Sequence, residues 1–151
     1  MITLHTIDVR IYYEDTDAGG IVYYANYLKF FERSRSDWLR AQGVDHQQLA
    51  ALGLGLVVQG CAIDYHRPAR LDDLLAVDTA ILDPRLDIRR ASIRLQHLAR
   101  RAGSEDPLAS GQVRIACIDQ ASGRPAPLPD AVFEQLHRQA HALCHPPGNA
   151  G

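Results

Sequence analysis

One helix-period stretch followed by four strand-like runs constrains this chain more than any other feature. Between Tyr24 and Gln42, the residues Tyr27, Phe31, Ser34 and Trp38 recur at helical spacing, and Gly43 supplies a stop. Ahead of it, Ile7, Val9, Ile11 and Tyr13 alternate with Thr6, Asp8, Arg10 and Tyr12, the period of a half-buried strand. Beyond it come strand-like runs at Leu56–Tyr65, Leu74–Leu82, Ile88–Leu98 and Leu108–Asp119. Within these, Ala91, Ile93 and Leu95 share one face, as do Val113, Ile115 and Cys117. The separators (Arg67-Pro68, Asp72-Asp73, Pro84-Arg85 and Gly103-Ser104-Glu105-Asp106-Pro107) are turn chemistry, too short for helical crossovers, so antiparallel meander pairing is expected. The helix carries Tyr24, Tyr27, Phe30, Phe31 and Trp38, which a curved sheet wrapped around it would bury. The fold class is therefore α+β, an antiparallel five-stranded sheet around one long helix. A C-terminal helix is expected over Asp130–Leu143, and a brief one over Gln47–Ala51, with Asp45 and Gln48 at capping-box spacing. Residues 1–144 read as one domain and residues 145–151 as a disordered tail.

Composition narrows the function classes. At 151 residues the chain suits a single core. A formal charge of −2 gives no general pull toward nucleic acid. No apolar run reaches the roughly 20 residues of a membrane span, and Met1-Ile2-Thr3-Leu4-His5 has neither part of a signal peptide. Cys61, Cys117 and Cys144 are too few and scattered for a disulfide framework. Cys61 and Cys117, in strand-like runs, are expected as small core residues, and the cytoplasm is the expected compartment.

The chemistry concentrates in Asp15-Thr16-Asp17-Ala18-Gly19-Gly20-Ile21-Val22-Tyr23-Tyr24. Here a strand ends in an acidic turn that feeds a helix. A helix N-terminus presents free N–H groups and a partial positive charge. A carboxylate beside such donors can attack a carbonyl whose oxygen they stabilise, or activate water against it. The same two carboxylates can instead cap the turn and the helix, and spacing alone leaves both readings open. Gly19 and Gly20 fit a tight turn with positive φ and a close approach of substrate to backbone.

Other constellations carry less. The EF-hand pattern fails, because Gly19 and Asn26 occupy its fifth and twelfth positions. His137, His141 and His145 share a four-residue spacing but lack the Glu of a zincin motif, so a solvated helix face is expected and no metal is assigned. Gly53-Leu54-Gly55 precedes a strand and lacks the third glycine of a dinucleotide fingerprint, and no P-loop or Gly-x-Ser-x-Gly elbow is present. Arg67, Arg70, Arg85, Arg89, Arg90, Arg94, Arg100 and Arg101 read either as solvated strand faces or as a phosphate clamp.

The order of elements, with Tyr12-Tyr13-Glu14-Asp15-Thr16-Asp17-Ala18-Gly19-Gly20-Ile21-Val22-Tyr23-Tyr24-Ala25-Asn26-Tyr27, resembles the hot-dog-fold acyl-CoA thioesterases. Within them it is closest to the 4-hydroxybenzoyl-CoA thioesterase branch, which includes a type associated with the Tol–Pal cell-envelope system. Phe31-Glu32-Arg33-Ser34-Arg35, Trp38-Leu39 and Ile63-Asp64-Tyr65-His66-Arg67-Pro68-Ala69 extend the likeness over roughly residues 6–140. The resemblance implies a single hot-dog domain hydrolysing acyl-CoA to a free acid and CoA. It implies Asp17 as nucleophile or general base, and Tyr24, seven residues on, as donor of a backbone N–H to the thioester oxygen. Gly19, Gly20, Ile21, Val22 and Tyr27 are the implied substrate contacts. It implies no cofactor beyond the CoA of the substrate and a homodimer or homotetramer. It also implies an acyl carrier protein or phospholipid-synthesis enzymes as partners. The Tol–Pal-associated type often has His where this chain has Tyr24, and the aromatic-acyl branch has Tyr, so the acyl preference stays open. The competing reading is a non-hydrolytic acyl-binding or interaction module linked to envelope or phospholipid-synthesis proteins.

Overall fold

The computed structural model describes residues 1–148. Five strands form one antiparallel sheet: β1 (Ile2–Arg10), β2 (Leu54–Tyr65), β3 (Leu74–Ile81), β4 (Ser92–Arg101) and β5 (Pro107–Asp119). Their spatial order is β1-β3-β4-β5-β2. The expected meander holds for β3-β4-β5, but β2 does not pair with β3. It lies at the far edge against β5, with Cys61 opposite Val113. The helix between β1 and β2 crosses the sheet, so chain neighbours end at opposite edges.

That helix, α1 (Asn26–Ala41), packs against β1, β3 and β4. It starts two residues later than its aromatic pattern suggests, because Tyr24 and Ala25 form a turn ahead of it. Trp38, Phe30 and Phe31 on its sheet-facing side are almost wholly buried, each worth about 2–3 kcal/mol of transfer free energy. Ser34 belongs to the same face and is satisfied there, its Oγ donating to the Val77 carbonyl at 3.0 Å. Two apolar clusters fill the space between helix and sheet. One, around Ile11, Val22, Tyr27, Phe31 and Leu108, lies beneath the acidic turn. The other, around Trp38, Ile81, Leu95 and Val113, is closed by Leu136 and Ala140 of α4 (Asp130–Cys144). Trp38 Nε1 donates to Gln139 Oε1 at 2.7 Å, and Gln139 Nε2 donates to the Leu4 carbonyl at 3.0 Å, tying α4 to α1 and β1.

The remaining expectations were met unevenly. Helix α2 (His46–Ala51) is present, but Asp45 accepts from the Gln47 N–H at 2.8 Å instead of closing a box with Gln48. Asp83-Pro84 starts a one-turn helix α3 (Pro84–Asp87) with Asp83 as its cap, and the run at 88–98 becomes a strand only from Ser92, after a turn in which the Arg89 N–H donates to the Ser92 carbonyl at 2.8 Å. Ile93 and Leu95 face inward as the alternation predicts, and so do Val113, Ile115 and Cys117. Tyr13 does not continue the buried face of β1. The chain leaves the strand at Arg10 and makes a 3-10 turn over Tyr13–Asp15, which exposes that ring. Cys117 is a core residue, whereas Cys61 is exposed on β2. Beyond α4, His145 to Gly148 form no regular element, and the rest of the expected tail, residues 149–151, lies outside the described residues.

Candidate active site

The acidic turn is a small hairpin. Thr16 and Val22 bridge its base, and the Gly20 N–H returns to the Asp17 carbonyl at 3.0 Å. The Asp17 N–H donates to the Ile21 carbonyl at 2.9 Å. Gly20 has φ of 80°, the left-handed residue that completes a type I turn and its bulge. Asp17 Oδ1 accepts the Gly19 N–H at 2.8 Å, and a Cβ at Gly19 would stand 3.2 Å from that same oxygen. Glycine at 19 thus lets the backbone approach the carboxylate. The side chain of Asp17 is exposed, with one oxygen engaged by the turn.

Asp15 has a different job. Its carboxylate accepts the Tyr12 N–H at 2.9 Å, and its carbonyl accepts both the Tyr23 N–H and Asn26 Nδ2, each at 2.9 Å. The Asn26 side chain is buried, and no spacing in the sequence signals its bond back to Asp15. These bonds hold the hairpin against the first turn of α1.

At that first turn the Asn26 N–H donates to the Tyr23 carbonyl at 2.9 Å, and Tyr65 Oη donates to the Tyr24 carbonyl at 2.9 Å. Neither the Tyr24 nor the Ala25 N–H has an acceptor among the described residues. Two free donors thus stand at the positive end of a 16-residue helix.

The second motif braces the first. Ala69 is fully buried and its carbonyl accepts the Val22 N–H at 2.9 Å, while Ile21 bridges Arg70. Asp73 accepts the Arg70 N–H and Arg101 Nε, and Arg101 also reaches the Pro68 carbonyl at 3.0 Å. Aromatic rings surround the turn. Tyr65 lies edge-on to Tyr24 at 6.2 Å and to Tyr27 at 5.8 Å. Partial burial, then Tyr24, pushes the Tyr65 phenol up, so it stays protonated and a donor at neutral pH.

The sequence-derived residues therefore gather around one hairpin. Gly19, Gly20 and Tyr24 are exposed, Ile21 is half-buried, and Val22 is buried. Tyr27 is in the core, 3% exposed, and meets the site through the ring of Tyr65. Burial pushes its phenol up as well. Of the arginines, Arg67, Arg90, Arg94, Arg100 and Arg101 are paired with Asp106, Asp130, Asp87, Asp78 and Asp73. His137 departs from the solvated face expected of it, since it is half-buried with Nε2 2.8 Å from the Ile88 carbonyl; His141 and His145 are exposed. No helix among the described residues is long and apolar enough to cross a membrane.

Comparison with known proteins shows the family of the chain. The profile described as Thioesterase-like superfamily matches residues 11–136. The acyl-CoA thioester hydrolase YbgC of Escherichia coli O6:H1 is 37% identical over 135 residues, covering 89% of this chain and 96% of that protein. The acyl-CoA thioesterase YbgC of Haemophilus influenzae is 40% identical over 130 residues, covering 85% and 91%. Among solved structures, Slr0204, a 1,4-dihydroxy-2-naphthoyl-CoA thioesterase from Synechocystis, superposes with a TM-score of 0.78 at 25% identity, covering 94% of this chain and 98% of that one.

Proposed function

This chain belongs to the thioesterase-like superfamily, and we propose from that premise that it hydrolyses acyl-CoA thioesters with Asp17 as the reacting carboxylate. The observation that carries the mechanism is the pair of unengaged N–H groups at Tyr24 and Ala25, presented beside the Asp17 hairpin. A thioester carbonyl oxygen placed on those donors gains stabilisation as charge develops on it, roughly 3–4 kcal/mol for one well-placed donor. On one route Asp17 attacks the carbonyl carbon, CoA leaves as a thiolate that takes a proton, and water cleaves the mixed anhydride. On the other, Asp17 takes a proton from water as the water attacks, and the tetrahedral intermediate expels the thiolate. Both yield a carboxylic acid and CoA, and neither calls on a metal or redox cofactor. Gly19, Gly20, Ile21 and Val22 form the wall along which the thioester would lie.

The proposal extends to assembly. Strand β2 is twelve residues long and pairs only with β5 among the described residues, which leaves its other edge unpaired. Pairing of that edge with a second copy would cover it. We place the acyl chain between α1 and a partner subunit's sheet, in a cytoplasmic homodimer or homotetramer folded as one domain over residues 1–144. An acyl carrier protein or a phospholipid-synthesis enzyme completes the proposed partners.

A thiol-release assay across acetyl-, decanoyl- and benzoyl-CoA tests the function and ranks the acyl groups. Asp17→Asn retains an oxygen for the Gly19 N–H, so the hairpin should survive. Turnover should fall roughly 100-fold or more, the usual scale for losing a reacting acid–base group. Unchanged turnover in that variant would sink the role given to Asp17. Binding of acyl-CoA without thiol release in the wild type would favour the non-hydrolytic module instead.

A further inference from the structure

The Tyr24 and Ala25 N–H donors ahead of α1 belong to peptides whose carbonyl ends are fixed. The Tyr24 N–H shares its peptide with the Tyr23 carbonyl, which accepts the Asn26 N–H. The Ala25 N–H shares its peptide with the Tyr24 carbonyl, which accepts Tyr65 Oη at 2.9 Å. The first is an ordinary main-chain bond inside the turn. The second comes from the last residue of β2, 41 positions along the chain. The first turn of α1 does not claim this carbonyl, because the Leu28 N–H goes to Ala25 at 3.2 Å.

We propose that Tyr65 is a positioning residue for the thioester site: its hydroxyl fixes and polarises the Tyr24–Ala25 peptide, and so aims the Ala25 N–H at the substrate oxygen. The inference rests on the function proposed above. Two physical effects combine. A carbonyl held by a donor cannot rotate its peptide, so the N–H on the opposite side keeps its direction. Accepting a hydrogen bond at the carbonyl also draws electron density from the nitrogen and makes the N–H a stronger donor. The Tyr65 ring is held in turn by edge-on contacts to Tyr24 and Tyr27, the latter anchored in the core. The hydroxyl is thus delivered by a ring with little freedom to swing away.

Tyr65→Phe tests this, because it removes the hydroxyl and leaves a half-exposed ring of the same shape in the same contacts. Acting through the Tyr24–Ala25 peptide and not on the substrate itself, the hydroxyl should matter less than a direct oxyanion donor, so kcat should fall about tenfold with KM unchanged. A general loosening of the site would raise KM as well. The Ala25 amide nitrogen should also change chemical shift in the variant without substrate, which reads the peptide directly. Wild-type kcat in Tyr65→Phe, or an unmoved Ala25 resonance, overturns the inference. Running Asp17→Asn in parallel separates the two claims. If Asp17→Asn is inactive and Tyr65→Phe is not, the positioning role fails and the thioesterase mechanism stands. If both variants keep full turnover, the mechanism itself fails and the positioning role with it.

Discussion

At position 97 a histidine ring lies inside the sheet–helix core, 2% exposed, stacked on Phe31 at 5.0 Å with the ring planes 7° apart. Its Nδ1 faces the Asp78 carbonyl at 3.2 Å and Thr79 Oγ1 at 3.4 Å, while Nε2 has no partner among the described residues. Desolvation first, then the positive charge of Arg35 on α1, pushes its pKa down from 6.5 to about 3; the bond to the Asp78 carbonyl opposes this without prevailing. Between those values the unfolded chain binds a proton that the folded chain refuses. Stability tied to His97 is therefore fully present above about pH 6.5 and is lost as pH falls toward 3, at about 1.4 kcal/mol per pH unit. Urea midpoints measured from pH 7 to pH 4 should drop more steeply for the wild type than for His97→Phe. Parallel curves would remove His97 from the acid response. The period-two alternation of β4 places His97 on the same inward face as Ile93 and Leu95, but it does not say how dry that position is. Only the helix that packs over it makes the ring dry.

Elements meet closely where Phe31 of α1 reaches Gly111 of β5. A Cβ built at Gly111 would stand 2.7 Å from Phe31 Cε2 and 3.3 Å from the Ala62 carbonyl oxygen. Gly111 lies opposite His97 on β4 and Ile63 on β2, so the stacked Phe31–His97 pair occupies the space that a side chain would need. Gly111→Ala should cost about 1–3 kcal/mol through overpacking, read as a lower urea midpoint at unchanged slope; a midpoint equal to wild type would mean α1 can shift freely. This contact shows which parts of the fold were legible in the sequence. The inward face of β4 at Ile93 and Leu95, and that of β5 at Val113 and Ile115, follow from period-two patterning, a local property. The placement of β2 does not, because nothing in its mixed run from Leu56 to Tyr65 names the strand it pairs with. Only long-range pairing with β5 reveals it as an edge with Val57 and Val58 exposed. The candidate site divides the same way. Asp17, the glycines and Tyr24 fall within eight residues and are readable there. The hydroxyl that Tyr65 sends to the Tyr24 carbonyl, and the brace from Ala69, depend on a return of the chain that no local pattern encodes.

For the whole molecule, the open position of the hairpin is the fact that needs explaining. Asp17 and Tyr24 are exposed in the single chain, and five surface concavities of 390 to 790 Å³ among the described residues are lined by other residues. An oxyanion site surrounded by bulk water gains little from two N–H donors, because water competes for the same oxygen and screens the helix dipole. A second chain set on the β2 edge would supply a roof over the turn and shelter from water. Its approach meets little electrostatic resistance, since each copy carries a formal charge of only −2. Activity should therefore belong to the assembly. In a dilution series, thiol release per chain should stay constant while light scattering or sedimentation reports a dimer or larger species, and should fall in step with dissociation below that range. Substrate should shift the midpoint to lower protein concentration, because a ligand held by both subunits favours the associated state by mass action. Constant activity per chain through the whole dissociation would mean that one copy shelters the thioester alone, and the β2 edge would then need another occupant.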